Sequence, residues 1–147
     1  FVRSICPVPE GDFCDRGLRF GAHCLHENRP SSYRSQELIF VTYFNAGLRV
    51  YDTVDPDHPV EVAHWIPECP PNQAAAQIND VFVAEDHTVY VTDRVNGGVY
   101  ILEPDATLSA HMTRSAQFGT RVEHVAQTVT DQVEGERPEE HHEAGDG

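Results

Sequence analysis

The chain has 147 residues, enough for one domain or part of one, and a formal net charge of −14 from 24 acidic and 10 basic residues. Every positive charge is an arginine, and so anionic a chain lacks the cations that nucleic acid or an anionic membrane surface requires. No apolar run approaches the ~20 residues that span a bilayer, and Cys6, Cys14, Cys24 and Cys69 form neither a CxxC pair nor a disulfide-built scaffold.

All but one of the aromatic residues lie in residues 1–104, so a core must come from there. After the first 18 residues comes "RFGAHCLHENRP", in which His23, Cys24, His26 and Glu27 crowd together. Taken as a strand, it puts His23, Leu25 and Glu27 on one face and Cys24 and His26 on the other. His23 and His26 then cannot share an ion. "LIFVTYFNAGLRVYD" predicts a hairpin turning at Asn45-Ala46-Gly47, and "PVEVAHWIP", 59–67, an outer strand. "QINDVFVAED" predicts a strand with Ile78, Asp80 and Phe82 on one face and Asn79, Val81 and Val83 on the other. "TVYVTDRVNGGVYILE" predicts a second hairpin through Asn96-Gly97-Gly98, where Asn-Gly supplies the positive φ that a tight turn needs.

These pieces form a repeated pattern. Ile39 matches Val89 and Gly47 matches Gly98, with one residue inserted in the second copy. "AHCLHEN" then matches the start of the second copy, setting His23 opposite Asn79, Cys24 opposite Asp80, Leu25 opposite Val81 and His26 opposite Phe82. Four antiparallel strands recurring every roughly 40–50 residues are the pattern of a propeller blade. Residues 105–147 differ in kind, with nine acids against three arginines, and predict a disordered tail. A helix is signalled within it by the capping pair Thr120 and Glu123 and by Val122, Val125, Ala126, Val129 and Val133 on one face. The valines weaken its propensity.

"GLRVYDTVDPDHPVEVAHW" resembles the blade signature of LVIVD-repeat proteins, with Gly47, Leu48, Val50, Asp52, Asp55, Pro56, Pro59 and Val62 in place. "INDVFVAEDHTVYVTDRVNGGVYILE" resembles the start of the next blade, although Glu103-Pro104 stands where the family has Asp-x-x-x-Pro. The resemblance covers residues 19–104 and implies a β-propeller, commonly of about six to eight blades. It also implies an exported or cell-surface location, since many members look like binding proteins of that kind. Two blades cannot close a ring and would leave open edges. The expected fold is therefore all-β: four-stranded antiparallel blades forming an incomplete propeller. Residues 1–18 would end an upstream blade and 105–147 would be a disordered or weakly helical tail. The expected partner is the remainder of a longer propeller or another protein chain, without nucleic acid or a membrane span.

In a propeller the innermost strand borders the central channel, and the match places His23 and Asn79 there. His23, with His26 and Glu27 nearby, is the candidate set for a divalent metal ion; Asn79, Asp93 and Arg94 are the candidate ligand-binding residues. Imidazole suits zinc, copper or iron and oxygen donors suit calcium or magnesium, so the mixture does not choose the ion. Each residue also has a plain structural role. His23 and Asn79 can satisfy backbone groups where strands enter a blade, Cys24 can be a small buried apolar residue, and Glu27 can pair with Arg19 or Arg29. Asp93-Arg94, replacing Tyr43-Phe44, reads as a surface pair, Asp52 and Asp80 as turn caps, and His141 and His142 as solvated. No nucleophile elbow, P-loop, dinucleotide fingerprint or HExxH is present. Three readings stay open: a non-catalytic binding or scaffolding module, a metal-dependent hydrolase or oxidase using His23 with ligands from other blades, and a structural subunit completed by another chain.

Overall fold

In the computed structural model of the chain, which describes residues 13–69, 71–95 and 98–116, the β-branched and aromatic runs become six short strands. β1 (Leu38–Thr42), β2 (Leu48–Asp52) and β3 (Val60–Trp65) form one antiparallel sheet in that order. β4 (Ile78–Val83), β5 (Val89–Asp93) and β6 (Gly98–Leu102) form a second. One helix, α1 (106–116), follows. The described residues are mostly β, and no barrel closes among them.

Each sheet has three strands where four are expected. In the first, the fourth member is reduced to a ragged segment along β1. Isolated bridges join Phe20 to Phe44 and Leu25 to Val41, and His23 N–H reaches Thr42 O at 2.8 Å, Thr42 N–H reaches Cys24 O at 2.9 Å and His26 N–H reaches Phe40 O at 2.9 Å. In the second, the chain leaves β6 through Glu103-Pro104-Asp105, and Asp105 Oδ1 accepts the Leu108 N–H at 2.8 Å. That N-cap starts a helix in place of a return strand.

The sheets pack face to face. Phe40, Leu48 and Val50 share a core with Ile78, Val83, Val89 and Val91, completed by Tyr33 and by Leu108 and Met112 of α1. Trp65 and Tyr100 close its outer end with ring centroids 4.9 Å apart. The other face of the first sheet carries a smaller core of Phe13, Val41, Tyr43 and Ala46. Arg49 is fully buried beside it: Nε donates to Ala46 O at 3.0 Å, Nη1 pairs with Glu61 at 2.9 Å, and the guanidinium lies 5.3 Å from the Phe13 ring centre. Among the described residues, the far side of the second sheet has no such cover.

Three further expectations need correction. The period-two alternation of β4 breaks at a bulge, because β4 has one more residue than β5 between the pairs Ile78–Asp93 and Val81–Val91. Ile78 and Val83 are therefore both buried. The first hairpin turns at Asn45-Ala46-Gly47 as expected, with positive φ at Phe44 and Gly47. Its loop is longer than a two-residue turn, closed by Tyr43 N–H to Gly47 O at 2.7 Å, and Asn45 Nδ2 anchors the carbonyls of Phe13 and Gly17. Asp93 is no surface residue: it is 1 % exposed, and its Oδ1 accepts the N–H groups of Gln77 and Val95, whereas Arg94 is exposed. The tail is helical over 106–116, where Tyr33 OH donates to Met112 O at 3.0 Å and the Ser35 and Ser115 hydroxyls bond each other. The helix signalled at Thr120, the turn residues Asn96 and Gly97, and most of the segment 1–18 lie outside the described residues.

Gly47 has φ +76°, and a Cβ there would stand 2.0 Å from the Trp65 carbonyl oxygen. Backbone cannot yield as a flexible side chain would. Gly47→Ala should lower stability by about 2 kcal/mol or more, read as a lower urea midpoint at unchanged slope.

Candidate functional site

The first sheet meets the second along the outer edge of β4. Ile78 N–H donates to Phe44 O at 3.1 Å, and Tyr33 N–H donates to Val83 O at 3.0 Å. Between them, side chains take the place of a neighbouring strand. Thr42 Oγ1–H and His23 Nδ1–H both donate to Asn79 O, at 2.7 and 3.0 Å. Val83 N–H donates to His26 Nδ1 at 3.1 Å, and His26 Nε2–H donates to Tyr33 O at 2.8 Å. Carbonyls only accept and amides only donate, so these partners fix both tautomers. Both His26 nitrogens are engaged, which leaves neither for a metal.

At one end of this junction three donors converge. Cys24 Sγ–H reaches Asp80 Oδ1 at 3.1 Å, while Asp80 Oδ2 accepts from Asn79 Nδ2 at 2.9 Å and Thr92 Oγ1 at 3.3 Å. The His23 ring packs on Phe44 with centroids 4.5 Å apart. A ring nitrogen of His23, Cys24 Sγ and a carboxylate oxygen of Asp80 lie within 4.8 Å of one another, at a solvent-accessible position. Burial pushes the Cys24 thiol up to about 11, and the hydrogen bond to Asp80 with its negative charge adds to the shift. Hydrogen bonds from Asn79 and Cys24 hold the Asp80 carboxyl below the usual range.

The structure thus brings together His23 and Asn79, joined by Cys24 and Asp80. Glu27 stands apart on an exposed loop, paired with Arg29, whose Nε donates at 2.8 Å. Asp93 is occupied by turn amides, and Arg94 is placed at the surface beyond it. Asp80 caps no turn, because its partners are side chains and it accepts from across the sheet; Asp52 does cap one, accepting the Val54 N–H at 3.0 Å. The period-two rule separates His23 from Cys24 only in a regular strand, and the segment 20–26 is not one. The signal for Cys24 and Asp80 is the match of "AHC" with "IND", which sets each residue opposite its eventual neighbour. Elsewhere an open cleft of about 350 Å³ is lined by Val50, Trp65, Val89, Leu102 and Leu108 together with His64, Glu103 and Asp105.

Comparison of the chain with protein-family models, curated proteins and solved structures finds no match. Among the described residues no helix is long and apolar enough to cross a membrane.

The junction generates two expected outcomes. Alkylation of Cys24 by iodoacetamide at pH 8, followed by peptide mass spectrometry, should be slow because the thiol stays protonated there, and Asp80→Asn should accelerate it by removing an acceptor and a negative charge. His26→Ala should lower stability by about 1–3 kcal/mol in chemical denaturation, the cost of leaving the buried Val83 N–H unpaired.

Proposed function

We propose that the two sheets are consecutive blades of a β-propeller of the LVIVD-repeat kind, and that the chain is a non-catalytic scaffolding and binding module completed by a further sheet. The segment 20–26, hydrogen-bonded along β1, supplies the innermost member of the first blade, as β4 does in the second. The junction of His23, Cys24, Asn79 and Asp80 then lies at the channel end of both blades.

One observation carries this reading. The first sheet has the cross-strand pairs Phe40–Val50 and Thr42–Leu48, and the second has Tyr90–Ile101 and Thr92–Val99 at the matching places. Phe40 and Val50 are each 1 % exposed, because the second sheet covers them. Tyr90, Val99 and Ile101 are 37 %, 63 % and 66 % exposed, and the Phe82 ring lies tilted beside Tyr90 at 6.2 Å. Covering a side chain of this size fully is worth roughly 1.5–3 kcal/mol, so four in one patch favour a partner over water. Among the described residues, the face that receives a sheet in the first unit is bare in the second. Its occupant is a sheet of the same kind, and in a solution of this chain alone the source is another copy.

Sedimentation velocity over a range of concentrations tests this. The chain should self-associate, and Val99→Asp with Ile101→Asp should return it to monomer with its far-ultraviolet dichroism unchanged. Monomer at every concentration, or association that ignores those charges, would sink the reading.

A further inference from the structure

We propose that His23, Cys24 and Asp80 form a binding site for a divalent transition-metal ion of the zinc class. The donors are an imidazole, a thiol and a carboxylate, the set that zinc takes in tetrahedral sites, and a thiolate selects against calcium and magnesium. Their ligand atoms already lie within 4.8 Å of one another, so an ion can reach all three through small rotamer changes.

The surroundings are those of a held site. Metal-binding imidazoles ordinarily donate their other N–H to a carbonyl or carboxylate, and ligating carboxylates are themselves hydrogen-bonded. His23 Nδ1–H donates to Asn79 O and its ring rests on Phe44, which leaves Nε2 carrying the lone pair. Asp80 Oδ2 is held by Asn79 and Thr92, which aims Oδ1 at Cys24. Asn79 therefore orients two of the three ligands at once, through its carbonyl and its side-chain amide. On binding, Cys24 gives up its thiol proton to the buffer and a metal–sulfur bond forms, with no change in oxidation state. Three protein ligands leave a fourth position for water or a small ligand.

His23 and Cys24 come from the segment beside the first sheet and Asp80 from the second, 56 residues along the chain. The ion would tie the two sheets across the junction. This site stands on those side chains alone and does not depend on a further sheet covering the second one, so either can fail without the other.

The test is titration of the full-length, chelator-treated chain with Co²⁺, followed by visible and near-ultraviolet absorption, and with Zn²⁺ by calorimetry. One ion per chain is expected, with a thiolate-to-cobalt charge-transfer band and a raised Tm. Cys24→Ser, which keeps the size of the side chain, should abolish the band. His23→Ala should weaken binding by more than the roughly 10–100-fold that loss of an orienting partner brings. The double variant His141→Ala with His142→Ala should bind as the parent does. Absence of binding in the parent, or a band that persists in Cys24→Ser, would overturn the proposal. So would binding lost only in the tail variant.

Discussion

The backbone of β4 needs hydrogen-bond partners on both sides, because Ile78 and Val83 are wholly buried and an unpaired amide or carbonyl there costs about 1–3 kcal/mol. β5 satisfies one side. The other is met by Phe44 O, Tyr33 N–H, Thr42 Oγ1 and the rings of His23 and His26. Much of the remaining architecture depends on that closure. It brings the segment 20–33 against the second sheet, fixes the angle at which Phe40 and Val50 meet Val83 and Val91, and sets His23 and Cys24 beside Asp80. A regular neighbouring strand would have sealed the same edge with backbone alone, and its alternation would have turned Cys24 away from His23. The irregular segment is thus what makes the side-chain cluster.

Among the described residues, the first sheet is covered on both faces and the second on one. Covering the first sheet's far face requires a buried charge, since Arg49 points into it. The charge is held by Glu61, by Ala46 O and by the π-face of Phe13. Removing Glu61 would leave an uncompensated buried cation, so the pair ties β2 to β3 more firmly than its net contribution to stability would suggest.

Strand positions were legible because Val, Ile and Tyr alternate between turn residues, and β1, β2, β3, β5 and β6 fall within the expected runs. The bulge in β4 was not, because nothing in "INDVFV" distinguishes an inserted residue from regular alternation. Asp93 misled because charge was equated with exposure, when a carboxylate can replace missing backbone partners inside a turn. Helix α1 was hidden by the acidic composition of the residues beyond it, although Pro104-Asp105 with Leu108 and Met112 four apart is a start signal and an apolar stripe. Of the candidate site, the neighbours were legible and the grouping of His23, Cys24 and Asp80 was not. Matching the two units puts Cys24 opposite Asp80, but only three dimensions show that His26 satisfies Val83 while Cys24 is the donor beside His23.

Phe13 has two guanidinium groups near its ring centre, those of Arg16 at 5.2 Å and Arg49 at 5.3 Å, and helps cover the first sheet's far face. Among the described residues the second sheet offers the one bare apolar face. A two-fold contact through that patch would pair two chains without extending the series of blades, whereas a propeller ring would need the first sheet's far face as well. A stack with both ends bare would instead grow head to tail, into a ring or a fibre according to the rotation per unit. The cover that Phe13 forms with Val41, Tyr43 and Ala46 thus bears on whether contacts made by the chain would close as a pair or run on as a series.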